Sequence, residues 1–377
     1  MKYKILITGG AGFIGSHLSD LLIKKGHNVV LFDNLDPQVH PKGKKPDYLN
    51  PAADFVKGDV RDYDSLKRLI LQQNFDVIIH NAATVGIGQS NYEIKKFIET
   101  NALGTANILD ILVNNRDKFT LKKLIIPGSN TSYGEGLYKC NECDETFHPN
   151  IRDENYINTH KWKIVCPRCK EDSSPIPTPE TTELKCNSIY ALSKRDQESY
   201  AMFIGKMYNI PVVVIRYFNV YGPRQSLNNP YTGVTAIFMS RLKNNNIPVV
   251  YEDGEQTRDF ISVYDVAEAN LAAIINSAAD FQVFNVGSGR SVTIRELAEL
   301  LAKLYDSDIK PNISYKFRKG DIRHCVADNS KIRQVLGWEP KIDLEDGLKK
   351  VIEWSKNVES EDRFDEAAEE LKRKGLS

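Results

Sequence analysis

Short apolar runs alternate with amphipathic stretches along most of the chain. Lys4-Ile-Leu-Ile-Thr8, Asn28-Val-Val-Leu-Phe-Asp33, Asp54-Phe-Val-Lys-Gly-Asp59-Val60, Asp76-Val-Ile-Ile-His80, Leu124-Ile-Ile-Pro-Gly-Ser129 and Ile210-Pro-Val-Val-Val-Ile-Arg216 have the near-continuous apolar character of strands buried on both faces. Ser16–Lys25, about Tyr92–Asn114 and Tyr190 to about Lys206 have helical spacing. Strands and helices in alternation predict an α/β fold with a doubly wound parallel sheet. Ligands of such sheets bind beyond the carboxyl ends of the strands, where Asp33, Asp59, Thr84 and Ser129 fall. Further on, Phe284-Asn-Val-Gly-Ser-Gly289 closes another strand, and Thr293 starts an apolar-periodic helix through Leu304. Lys331–Leu336 and Leu344–Trp354 are expected as closing helices, and the charged tail Glu359–Leu376 as a solvated one.

With 377 residues the chain can bury a sizeable core in one large or two linked domains. Its 50 basic and 50 acidic residues balance, so no overall field draws it to nucleic acid or an anionic membrane. No apolar run approaches the ~20 residues of a membrane span, and the N-terminus lacks the pattern of a signal peptide. A cytoplasmic protein with neither nucleic-acid nor membrane partners is expected.

Gly9-Gly-Ala-Gly12-Phe-Ile-Gly15 links the first strand to the first helix. Glycines there let a backbone approach a pyrophosphate seated on a helix N-terminus, the Rossmann arrangement. The second strand ends in Asp33, placed to accept from adenosine ribose hydroxyls and to repel a 2′-phosphate, which favours NAD over NADP. Small residues after His80, among them Ala82, Ala83 and Thr84, let a cofactor lie against backbone.

Tyr190 and Lys194 stand four apart in Asn187-Ser-Ile-Tyr190-Ala-Leu-Ser-Lys194, on one face of a helix. A cation there is expected to lower the tyrosine pKa from its usual ~10 and prepare it to take a proton from an alcohol.

Cys140-Asn-Glu-Cys143 and Cys166-Pro-Arg-Cys169 are separated by 22 residues. Two such pairs supply four thiolates to a tetrahedral, structural zinc; a redox dithiol and replacement of one cysteine by His148 are the alternatives. Residues 137–185 carry 9 acids against 7 bases, which does not make a phosphate-binding stripe. The insertion leaves the chain just after Ser129 and returns just before Tyr190, so it is expected to lie over the substrate mouth.

These features resemble the extended short-chain dehydrogenase/reductases, in particular the NAD-dependent nucleotide-sugar epimerase and dehydratase family. The family places a Ser or Thr four residues ahead of a Tyr-Gly pair, here Ser129 before Tyr133-Gly134. The resemblance implies a Ser129, Tyr190 and Lys194 catalytic triad. It extends the NAD-binding set of Gly9, Gly12, Gly15, Asp33, Asp59, Ala82, Ala83 and Thr84 to Phe13, Ile14, Asn34, Val60, Asn101, Tyr217, Asn219 and Val220, with Tyr190 and Lys194 shared. It implies substrate contacts at Thr131, Asn219, Val234, Arg258, Arg318, Asp321 and Arg323. The implied architecture is a Rossmann domain of residues 1–136, 186–224 and 257–287, and a nucleotide-sugar-binding lobe of 225–256 and 288–357. A zinc-ribbon insertion at 137–185 and a charged C-terminal helix at 358–377 complete it.

Family dehydratases carry an Asp-Glu pair after the Ser or Thr, and related decarboxylases a Glu at the Thr131 position; this chain has Asn130-Thr131. The implied reaction is therefore 4-epimerisation by transient oxidation to a 4-ketosugar. Asp33-Asn-Leu-Asp-Pro-Gln-Val-His40, Gly88-Gln-Ser-Asn-Tyr-Glu-Ile94, the cysteine insertion and Gly320-Asp-Ile-Arg-His-Cys325 resemble the branch acting on dTDP-6-deoxyhexoses such as dTDP-L-rhamnose. UDP-glucose/UDP-galactose 4-epimerisation is the alternative, followed by 4-ketoreduction or 4,6-dehydration, and outside enzymes an NAD-sensing adaptor. The family also implies a homodimer joined through the Tyr92–Asn114 and Tyr190–Lys206 helices.

Overall fold

A computed structural model describes residues 2–376. Seven parallel strands form its central sheet: β1 (Lys4–Thr8), β2 (Asn28–Asp33), β3 (Asp54–Lys57), β4 (Val77–His80), β5 (Lys123–Ser129), β6 (Val212–Tyr217) and β7 (Gln282–Val286). Their order is β7-β6-β5-β4-β1-β2-β3. The order reverses at β1, where a crevice opens between the β1 and β4 ends. Successive side chains go to opposite faces. Ile5 and Ile7 enter one core with Val29, Leu31, Val213 and Ile215, while Leu6 enters the other with Val30, Phe32, Val212 and Val214. Two apolar faces require two helical layers, which is why these strands carry no polar alternation.

The expected helix across Tyr92–Asn114 is interrupted. Ile94–Phe97 leads into a π-helical stretch, Ile98–Leu103, before Gly104–Asn114 resumes the α form. The irregular turn carries Asn101, buried and bonded away from its own helix. The helix Ile189–Tyr208 opens on Ser188, whose side chain caps the Ala191 amide at 3.1 Å.

A third core belongs to the smaller lobe, where the helices Val234–Lys243, Ile294–Leu304 and Leu344–Ser355 pack together. The helix Ser330–Leu336 does not join it. Ile332 and Trp338 are buried against the Rossmann core, and Trp338 Nε1 donates to the Asp265 carbonyl at 3.2 Å, so the 288–357 boundary is too generous. Leucine-poor periodicity alone does not say which of two cores a short helix serves.

The insertion forms a three-stranded antiparallel sheet, Leu137–Cys140 between Thr146–Phe147 and Ser173–Ile176. Among the described residues, no helix is long and apolar enough to cross a membrane.

Candidate active site

A cavity of about 560 Å³ lies between the carboxyl ends of the sheet and the smaller lobe. It brings together Ser129, Thr131, Tyr190, Lys194, Tyr217, Asn219 and Val220 with Gly9, Gly12, Phe13, Ile14, Asp33, Asn34, Asp59, Val60, Ala82, Ala83 and Thr84. Val234, Arg258, Arg318 and Asp321 line its lobe side. Gly15, Asn101 and Arg323 are not on its wall.

On the sheet side, Gly9 has φ +65°, and a Cβ there would stand 2.7 Å from the Ala82 backbone. Gly15 serves packing: a Cβ would meet the Gly9 carbonyl at 2.4 Å. Gly12 starts the helix Phe13–Lys24 without a side-chain cap, leaving first-turn amides available to an anion. Asp33 accepts from the Ala11 amide at 3.0 Å and the Leu35 amide at 2.8 Å, which fixes its carboxylate at the cavity edge. Burial pushes the Asp59 carboxyl up, but hydrogen bonds from Arg61 and Asn34 outweigh it and hold the group at about 2. These donors, amides and acids fit an adenine dinucleotide. Asn101 acts one layer back. It accepts from the Thr84 amide at 2.8 Å and donates to Ser193 Oγ at 2.9 Å, tying the wall to the helix of Tyr190 and Lys194.

At the sheet's centre, Ser129 Oγ lies 2.8 Å from Thr131 Oγ1. The Tyr190 ring stands edge-on to Phe97 at 6.3 Å. Burial raises the Tyr190 pKa, and the Ser129 hydroxyl, hydrogen-bonded to it, pulls the other way. Burial lowers Lys194 to about 7, opposed by Glu198. The expected lowering of tyrosine by lysine therefore does not arise from the protein groups alone. The lysine pays so much for desolvation that it is a poor resident cation.

On the lobe side, Arg258 donates to the carbonyls of Thr257, Ile322 and Arg323 at 2.8, 2.9 and 3.2 Å. Among the described residues no carboxylate is within bonding distance of it, and burial lowers its pKa. Arg318 stacks 4.8 Å from the Tyr251 ring and bonds Asp321 at 2.9 Å. Two guanidiniums so held suit a diphosphate. The buried Asn219 Oδ1 has no partner among the described residues, an acceptor left for a ligand donor.

Arg323 faces elsewhere. Its guanidinium meets Glu252 and Asp253 at 2.7 Å, and its amide donates to Glu135 at 2.7 Å. Arg152 of the insertion enters the same cluster, bidentate to Glu252 at 3.0 and 2.7 Å. It also donates to the Asp321 carbonyl at 3.2 Å. Among the described residues none from the insertion lines the cavity, so the expected cover over the mouth is corrected. The insertion braces Glu252 and the 318–323 segment from outside. Its four cysteine Sγ atoms lie within 4.8 Å of one another, a donor set that could hold a metal. The Glu142 and Cys143 amides each approach Cys140 Sγ at 3.4 Å. His148 is committed to the carbonyls of Tyr133 and Glu135.

Sequence reasoning missed the tail. Phe364, Ala367, Ala368, Leu371 and Leu376 line the cavity. The signal was the spacing Phe364, Ala367, Ala368, Leu371, an apolar stripe at i, i+3, i+4, i+7 amid charge.

The fold and the cavity define a nucleotide-dependent enzyme of the short-chain dehydrogenase/reductase type. Residues 5–157 match the model of the NAD-dependent epimerase/dehydratase family, and residues 172–351 that of GDP-mannose 4,6 dehydratase. A dTDP-L-rhamnose 4-epimerase of Burkholderia thailandensis is 33% identical, over 93% of this chain and 94% of that one. A putative UDP-glucose 4-epimerase of Methanocaldococcus jannaschii is also 33% identical, over 94% of this chain and 98% of its own length. The solved UDP-glucose 4-epimerase of Thermotoga maritima with UDP-glucose superposes with a TM-score of 0.77 at 32% identity, covering 94% and 99% of the two chains. That of Thermus thermophilus with NAD gives 0.75 at 27%, covering 94% and 100%. The chain belongs to the NAD-dependent epimerase/dehydratase family of nucleotide-sugar enzymes.

The depressed Lys194 makes stability depend on pH. Below pH 7 the ammonium is charged in folded and unfolded chains alike, and the folded chain bears the full cost of burying it. Between about 7 and the ordinary 10.5 the unfolded chain binds the extra proton, so stability rises with pH. In cofactor-free protein, Lys194→Met is expected to raise the melting temperature at pH 6, with the gain shrinking towards pH 10. A gain that is constant across that range would contradict this account of the lysine.

Proposed function

We propose that the protein is a nucleotide-sugar 4-epimerase that works through a 4-keto intermediate on a dTDP-6-deoxyhexose such as dTDP-L-rhamnose. One observation carries the choice of reaction: the acids lining the cavity, among the described residues, are Asp33, Asp36, Asp59 and Asp321. Three belong to the sheet side, where the dinucleotide would lie, and Asp321 is paired with Arg318. No carboxylate is left beside Ser129 and Tyr190 to expel water or carbon dioxide from a sugar. The sugar and base rest on the Burkholderia relative; the equally similar Methanocaldococcus relative supports UDP-glucose 4-epimerisation as the second reading.

Tyr190 Oη takes the proton of the sugar hydroxyl, and Ser129 Oγ hydrogen-bonds the same oxygen. Lys194 supplies the charge that favours the phenolate once a ligand offsets its desolvation. A bound NAD, held by the Gly9–Gly12 turn, Asp33 and the walls at Ala82–Thr84, would supply a reversible hydride acceptor for the sugar carbon. Arg258 and Arg318 hold the diphosphate while the sugar turns over, so that the proton returns from Tyr190 to an oxygen on the other face.

The four thiols hold a structural zinc, since ~2.3 Å zinc–sulfur bonds at tetrahedral angles separate sulfurs by roughly 3.8 Å. The pairs Cys143–Cys166, Cys143–Cys169 and Cys140–Cys169 lie 3.7, 3.6 and 3.3 Å apart, the last tighter than a bound zinc would set it. Reduced thiols suit a cytoplasmic location. A homodimer is supported by exposed Ile94, Ile98 and Leu103 beside exposed Tyr200, Phe203 and Met207 on the two helices named for it.

Four measurements check these readings. Incubation with dTDP- and UDP-sugars, followed by NMR of the anomeric protons, should give a C4 epimer without added reductant. Tyr190→Phe should cut turnover by about a thousandfold or more, and loss of water or carbon dioxide from the substrate would refute the epimerase. Cys166→Ser should release one equivalent of zinc and raise KM more than it lowers kcat, because Arg152 braces the nucleotide loops; metal-free wild-type protein of unchanged melting temperature would rule the zinc out. Phe203→Asp should give a monomer by light scattering, and a monomeric wild type would exclude the dimer.

A further inference from the structure

Three separate stretches of chain meet in one polar cluster at the cavity: the loop after β2, the segment 86–97 and the lobe's turn 229–233. Gln38 stands at its centre. Its side-chain nitrogen donates to Gln89 Oε1 at 2.9 Å and to Asn229 Oδ1 at 3.2 Å. Its oxygen accepts from Gln89 Nε2 at 3.1 Å and from Lys96 Nζ at 3.0 Å. A carboxamide offers two protons and two lone pairs, and here all four are used. Gln89 and Asn229 are buried, so a bond lost there leaves a polar group short of a partner.

The cluster has a cofactor side and a nucleotide-sugar side. On the cofactor side the loop is stitched to the end of β2. Asp33, Asn34 and Asp36 each accept, at 2.8, 3.0 and 2.8 Å, from the amide two residues on, the last being that of Gln38. Asp33 is placed to meet an adenosine ribose, so a seated dinucleotide bears on the backbone that carries Gln38. On the other side, Asn229 Oδ1 also accepts from the Tyr231 amide at 3.0 Å, which shapes the turn. Asn229, Tyr231, Thr232 and Gly233 line the cavity, and the turn leads into Val234 at the head of a lobe helix. Gln38 therefore holds a wall of one ligand's site from the loop that receives the other ligand.

We propose that Gln38 is a positioning residue that couples the two halves of the cavity, so that a dinucleotide on the sheet side and a nucleoside diphosphate on the lobe side bind more tightly together than either does alone. The inference rests on the nucleotide-sugar reading of the cavity and adds to it a cooperation between cofactor and substrate. A dinucleotide that fixes residues 33–38 also fixes the donor to Asn229, which leaves less of the turn to be ordered when the nucleotide arrives. The help is mutual, because the coupling free energy between two sites is a single quantity. It passes through the bond from Gln38 to Asn229 Oδ1, and removing that donor ends it.

The test is calorimetric titration of the purified full-length protein with dTDP, once saturated with NAD and once with the cofactor removed. In wild type NAD should tighten dTDP binding about tenfold. Gln38→Glu keeps both acceptor positions and removes both donors without opening space, and the gain should fall to within about twofold. Gln38→Leu, which adds no charge, should do the same. Asn229→Asp keeps the acceptor for Gln38 and for the Tyr231 amide, so it should retain the tenfold gain. Equal dTDP affinity with and without NAD in wild type overturns the coupling and leaves the nucleotide-sugar reading intact. A gain that survives both Gln38 variants, or a loss that Asn229→Asp shares, overturns it in the same way. Coupled binding in a protein that epimerises no sugar removes the proposed reaction and leaves the coupling standing. UDP replaces dTDP in the same variants should it be the nucleotide that binds; if neither binds, the reading and the coupling fall together.

Discussion

The buried ion pair between Arg216 and Glu198 holds the centre of this molecule together. Arg216 lies near the end of β6 and grips Glu198 at 3.0 and 2.5 Å. Glu198 stands four residues after Lys194 and eight after Tyr190, so fixing it sets the rotation that turns both into the cavity. The same guanidinium donates to the Tyr133 hydroxyl at 2.6 Å and the Glu180 carbonyl at 3.1 Å. Tyr133 in turn donates to Asn285 at 2.8 Å on β7. One cation thus joins the helix of Tyr190 and Lys194, the turn after Ser129, the return of the insertion and the last strand. Removing one partner of such a pair leaves a charge unmatched in a dry interior, at a cost of about 3–5 kcal/mol.

Glu198 also moderates Lys194, and the balance there explains the electrostatics of the site. Desolvation dominates both reactive groups, so the protein alone favours a neutral phenol and an easily discharged amine. The site is not preset as a base. It becomes one on the proposed reaction only when ligand charge restores the lysine, which keeps proton transfer tied to an occupied cavity. Arg258 follows the same logic at the other end, held by carbonyls and lacking a carboxylate partner.

Much of this was legible because parallel strands buried on both faces cannot hide. Each central strand was visible as an apolar run, and the glycine turn, Asp33 and the Tyr190–Lys194 spacing come from local backbone and helix geometry. What stayed hidden depends on distant partners. Arg323 sits in a segment that otherwise lines the cavity, and only the fold shows Glu252 and Asp253 capturing it. Asn101 needed the π-helical turn to reach Thr84, and no residue spacing announces that turn. The insertion was placed by its chain ends, which lie near the cavity, whereas its position follows from Arg152, whose partner Glu252 is 100 residues away. The tail was misjudged because its many charges outweighed a four-residue stripe.

The corrections to the insertion and the tail share a cause that bears on how the cavity is built. Both segments attach to the smaller lobe, one from outside through Arg152 and the Asp321 carbonyl, the other across the mouth through Arg241 and Lys319. Between them lies the pair of guanidiniums, Arg258 held by three carbonyls and Arg318 by Asp321 and the Tyr251 ring. The wall around Tyr190, by contrast, offers the Ser129 and Thr131 hydroxyls and the Asn91 side chain rather than guanidiniums. An enzyme that presents both faces of one carbon to the same reactive groups needs that asymmetry. Affinity must be concentrated on a part of the ligand that does not move, because every strong bond to the sugar ring would have to break before the ring could turn.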